Sequence, residues 1–155
     1  MTTSATATLD LTKPIDEKLL NRRSRYLEFK GTGYYTRADA IVKAIRNILW
    51  DQCYAGEFHE LLNRAKTATG DERDELYAES DIVDDKCYLQ AIAIARKNGL
   101  IGPSFKFGLW QPYECEDRFG IELPQVKRSL GLRKMRQEDV DKLYENAVQA
   151  IRNKH

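Results

Sequence analysis

Apolar residues return every three to four positions along TRADAIVKAIRNILWDQCY, residues 36 to 54, and this spacing constrains the fold more than any other feature. Ile41, Ile45, Ile48 and Leu49 share one helical face, with Gln52 as the polar member of the row. Thr36 is placed to cap the amide three residues on, with Asp39 completing an aspartate version of the capping box. A stripe of this kind has to be covered by other elements, so the segment is expected to be a core helix.

Similar stripes recur on both sides. Pro14 suits the first turn of a helix carrying Ile15, Leu19, Leu20, Tyr26 and Leu27 and stopping at Gly31. After Gly56, which breaks or softens the core helix, Phe58, Leu61, Leu62 and Ala65 line a further piece that ends at Gly70. Residues 71 to 99 read as one helix, or as two split near Ser80, with an acidic front, a basic rear and Asn98-Gly99 as the stop. LPQVKRSLGL, residues 123 to 132, is a short helix candidate. QEDVDKLYENAVQAIRN, residues 137 to 153, is a longer one, with Val140, Leu143, Tyr144, Ala147 and Ile151 along one side. Only FKFGLW, residues 105 to 110, alternates with period two. The expected fold is an all-α bundle of five to six helices, with an irregular aromatic segment over about 100–120 that holds a short strand or hairpin.

With 155 residues the chain is the size of one domain that buries a core without staples. Residues 1 to 13, rich in Thr, Ser and Ala, read as a flexible or partner-ordered arm, and 14 to 155 as a single helical domain. The start MTTSATATLDLTKP has neither the basic beginning nor the apolar stretch of a secretory signal. No apolar run approaches the ~20 residues of a spanning helix. Three widely spaced cysteines argue against a disulfide framework. A cytoplasmic protein without a membrane role is expected.

Catalytic patterns are thin. KGTGYYTRAD, residues 30 to 39, sets glycines before a helix start, but the phosphate-loop and dinucleotide patterns are both absent. Glu79, Asp81, Asp84 and Asp85 form an acidic set whose Asp81 and Asp84 share a helical face, and such residues are usually a solvated surface. Cys53, Cys87 and Cys115 do not have zinc spacing. The carboxylates beside Cys115 oppose a reactive thiolate. Histidine chemistry would have to run through His59, since the other histidine is the terminal His155. No cofactor and no metal are expected, and an enzyme of unknown reaction ranks last among the readings.

Charge and aromaticity are more informative. The net charge of +1 conceals blocks: +5 over residues 13 to 46, −8 over 51 to 85 and +6 over 86 to 136. These blocks can pair with one another in the fold or with a partner. Lys127, Arg128, Arg133, Lys134 and Arg136 form the most single-signed stretch, suited to a nucleic-acid backbone or an acidic protein surface. Its surroundings have the outline of a helix-turn-helix, but Gln137, Glu138 and Asp139 open the second helix with charge that repels phosphate. Arg22, Arg23 and Arg25 add to the basic surface, and Tyr34 and Tyr35 beside Arg37 offer a base-stacking platform.

The segment SFKFGLWQPYECEDRFG, residues 104 to 120, concentrates three of the five Phe residues and one of the two Trp residues. Phe105, Phe107, Trp110, Tyr113, Arg118 and Phe119 are the partner-binding candidates, with Phe105 and Phe107 expected to pack inward and the stretch from Trp110 to Phe119 to face a partner; a role confined to the core is the competing reading. The favoured function is a non-catalytic small helical subunit or adaptor of a larger protein or nucleoprotein assembly. A protein partner or homo-oligomer is expected, and nucleic-acid binding through the 126–136 corner is the alternative.

Overall fold

The computed structural model describes residues 9–24, 26–33, 35–108 and 132–154, and within them the chain is mostly helical, as expected for an all-α bundle. Helices α1 (Glu17–Arg23) and α2 (Tyr26–Lys30) lead to α3 (Arg37–Leu49). A π-helical turn, Trp50–Tyr54, then runs directly into α4 (Ala55–Thr67). α5 (Gly70–Lys97) is followed by a two-stranded antiparallel ribbon of β1 (Lys106–Phe107) and β2 (Arg133–Lys134), and α6 (Gln137–Lys154) closes the domain.

The start differs from the expected single helix. Asp16, rather than Pro14, opens α1, its carboxylate accepting from the Leu19 amide at 2.8 Å. At Ser24 the backbone turns extended, and its hydroxyl donates to the Leu20 carbonyl while accepting from the Tyr26 amide, so α2 starts afresh. The Thr36 cap forms as expected: the Asp39 amide donates to Thr36 Oγ1 at 3.1 Å, and the hydroxyl donates to the Asp39 carboxylate at 2.8 Å.

Gly56 breaks nothing. The irregularity comes one turn earlier, where the Ala55 amide reaches the Trp50 carbonyl and widens the helix, so that Cys53 and Tyr54 are both buried. Ser80 likewise does not split α5, because its buried hydroxyl satisfies itself on the Tyr77 carbonyl at 2.7 Å. At the rear Gly99 takes φ 70°, the left-handed stop that lets the Leu100 amide return to Ala95 at 2.9 Å.

α5 is the centre of the bundle, packed against α3, α4 and α6. Its run from Leu89 to Ala95 is buried on every side, which is how a central helix differs from a surface one. The preceding chain wraps onto this core: Leu9, Leu11 and Ile15 are buried, and the Ile15 amide donates to Asn98 Oδ1 at 2.8 Å. Gln52 Nε2 holds the Leu9 carbonyl at 3.2 Å. The described part of the expected arm thus packs on the domain's own core. No helix among the described residues is long and apolar enough to cross a membrane.

Candidate functional site

The ribbon is where the expected site residues meet. β1 and β2 pair with Phe107 opposite Arg133 and Lys106 opposite Lys134. Phe107 is buried in the core and Phe105 is half-buried against it, so both turn inward and Phe107, expected among the partner-binding residues, has no surface to offer a partner. Lys106 and Lys134 are exposed, and like charges directly opposite on a ribbon repel. Leu132, one residue before β2, is 62% exposed. An exposed leucine beside two facing lysines is thus carried by a ribbon anchored in the core.

The base of the ribbon is tied down by arginine. Arg96, from the last turn of α5, donates to the Met135 carbonyl and, at 3.1 Å, to Gln137 Oε1. Arg136 pairs with Glu138 at 3.2 Å and with the buried Asp139 at 3.1 Å, and Lys97 pairs with Asp141 at 3.0 Å. The acids that open α6 therefore pair with Arg136, the last residue of the basic stretch that precedes it. Arg133 and Lys134 lie on a strand, not in the turn of a helix-turn-helix outline.

The other basic candidates are spread differently. Arg22 and Arg23 are exposed in the last turn of α1. Arg37 is engaged by Glu17, which also accepts from the Tyr26 hydroxyl at 2.9 Å and attracts Lys30 at 3.8 Å. The Arg37 guanidinium, followed by the Tyr26 hydroxyl, holds the Glu17 carboxyl below its usual range. Tyr35 is exposed with its ring edge-on to Phe29 at 5.7 Å. Arg25, Tyr34, Trp110, Tyr113, Arg118, Phe119, Lys127 and Arg128 lie outside the described residues, as does Cys115.

Burial pushes the Cys53 and Cys87 thiols up, which keeps both protonated. Asp84 pairs with Arg46, whose guanidinium stacks over Trp50 at 4.5 Å, so the acidic and first basic blocks do meet. Burial, with Asp84 as the lesser cause, raises the Asp81 carboxyl. No group of three metal-ligating side chains comes together among the described residues.

Sequence reading missed Lys106, Arg96 and Leu132 as parts of the corner. The pairing partner of 133–134 was the absent signal, since a two-residue strand leaves no periodicity. It also missed a polar pair inside the bundle, where the Tyr54 hydroxyl donates to Gln90 Oε1 at 2.6 Å. The signal for that pair is present in the chain: Gln90 interrupts the otherwise apolar run LQAIAIA. No protein-family model, curated protein or solved structure matches this chain.

Proposed function

We propose that the chain is a non-catalytic helical subunit that docks onto an acidic surface of a protein partner through the ribbon corner and the aromatic segment between its strands. One observation carries the reading: Lys106 faces Lys134 across the ribbon while Leu132 stands exposed beside them. An isolated domain gains nothing from a like-charged cross-strand pair next to a solvated leucine. A partner that supplies carboxylates and an apolar pocket turns both into favourable contacts. The aromatic content of residues 104 to 120 fits the same role, because Trp, Tyr and Arg are the residues on which binding energy concentrates. Free, buried Cys53 and Cys87 suit a reducing, cytoplasmic setting.

Affinity capture from the source cell after nuclease treatment tests the proposal, comparing the native chain with a Lys106→Glu/Lys134→Glu double variant and with Leu132→Ser. A protein retained by the native chain and lost by both variants, with unchanged helical circular dichroism, supports docking at this corner. Equal retention by all three removes the corner from the interface.

The two exposed lysines also favour a second reading, nucleic-acid binding. A two-stranded ribbon is narrow enough for a duplex groove. This reading requires affinity that falls steeply with salt and is lost in the double lysine variant.

A further inference from the structure

The Tyr54–Gln90 pair is the floor of a cleft of about 420 Å³ between the π-helical turn, α5 and α6. Gln90 is only 1% exposed and its Oε1 is taken by the Tyr54 hydroxyl. Its Nε2 takes no partner among the described residues, yet is not sealed from the cleft that Gln90 lines. An amide fixed through its oxygen and open to the cleft through its nitrogen presents a preoriented donor to whatever occupies the cleft.

The walls continue the same chemistry. Gln149 and Asn153 project from α6 beside its apolar face and line the cleft with amides. Lys86 and Lys154 border it, Lys86 with its ammonium 5.8 Å from the Tyr54 ring centre. Glu57 is the single carboxylate of the lining, so the cleft is net positive by one charge. The π-helical turn delivers Tyr54 to the floor, and such widened turns recur at functional sites because they aim a side chain that a regular helix would place elsewhere.

We infer that this cleft is a binding site for a small anion bearing a carbonyl edge, of about the size of a nucleoside monophosphate. Gln90 Nε2, a donor with no acceptor left beside it, selects a carbonyl oxygen at the deep end. The side-chain amides of Gln149 and Asn153 both donate and accept, and match an edge that does the same. Lys86 and Lys154 take the anionic group at the rim. The volume lies within the range of ordinary small-molecule sites, and its lining binds by hydrogen bonds more than by apolar contact. This site is independent of the ribbon corner and stands or falls separately from the docking proposal.

Side-chain amide signals make the test direct. The full chain is titrated with uridine monophosphate, uridine and inorganic phosphate to millimolar concentration, and amide proton–nitrogen correlation spectra are followed. The expected result is saturable movement of the Gln90, Gln149 and Asn153 side-chain signals with the nucleotide, weaker movement with uridine and little with phosphate. Gln90→Leu removes the deep donor. Because it also strands the Tyr54 hydroxyl, the exposed variants Asn153→Leu and Lys154→Glu are measured beside it. Each of the two is expected to weaken the nucleotide by about tenfold, the loss of one hydrogen bond or charge contact. Unmoved signals with every probe, an equal response to phosphate alone, or full affinity in both exposed variants each overturn the inference.

Discussion

From Gly70 to Glu79 the side chains of α5 are exposed apart from Leu76, whereas Leu89 to Ala95 is buried without interruption. One unbroken helix thus contains two regions stabilised by different means. The front half carries Asp71 and Glu72 in its first turn, where the helix dipole favours carboxylates, and packs on α4 along a narrow strip. The rear half lies within the core cluster and gains its stability from apolar area withdrawn from water. Helical geometry is common to both, so the difference lies entirely in what covers the side chains.

The largest effect that can break this comparison comes from the rear half. Ile92→Ala is expected to cost about 2–5 kcal/mol, as deletion of a buried branched side chain does, read from the midpoint of denaturant unfolding. Hydrogen exchange supplies the contrast: backbone amides of 71–79 are expected to exchange through local opening, and those of 89–95 only through global unfolding. Equal protection in the two halves contradicts it.

A smaller effect sharpens the view of the rear half as a core with one polar inclusion. Burial raises the Tyr54 hydroxyl well above its ordinary value, so it stays protonated and keeps the hydrogen it donates to Gln90. Tyr54→Phe keeps the ring and strands Gln90 Oε1, for an expected loss of about 1–3 kcal/mol in thermal or chemical unfolding. A neutral outcome means that water already reaches the pair through the cleft.

The smallest effect concerns surfaces held by charge. Glu17 has its carboxyl pulled below the usual value, chiefly by Arg37, so its contribution is present above the unfolded-state pKa and is lost as pH falls through the lower folded one. Stability of the native chain is expected to decline across the acid range, and Glu17→Gln is expected to flatten that decline without altering unfolding near neutrality by more than the modest value of an exposed pair. An unchanged acid profile in the variant assigns the decline to other carboxylates.

Much of this architecture was legible in the chain. The 3.6-residue stripes located α3, α4 and α6, Thr36 marked a real cap, and Asn98-Gly99 marked the real stop of α5, because each depends on residues close in sequence. Of the period-two run at 105 to 110, Phe105 and Phe107 lie inward in the structure. The break at Ser24 and the unbroken path through Ser80 were not legible, since each serine chose among nearby carbonyls according to packing. The π-helical turn was hidden for a similar reason: it is set by packing of Trp50–Tyr54 against α4, α5 and α6, partners that local spacing does not record.

Helix formation, the approximate helix ends and the alternation of positive and negative charge in blocks all rest on side chains a few positions apart, so the order of residues carries them directly. Which charges meet is a matter of packing: Arg46 pairs with Asp84, Arg37 with Glu17, and Arg136 with the acids of its own following helix. Packing alone set Lys106 opposite Lys134 and closed the Tyr54 hydroxyl on Gln90 across 36 positions. Contacts of that span depend on how whole elements pack, and local periodicity carries no record of the partner.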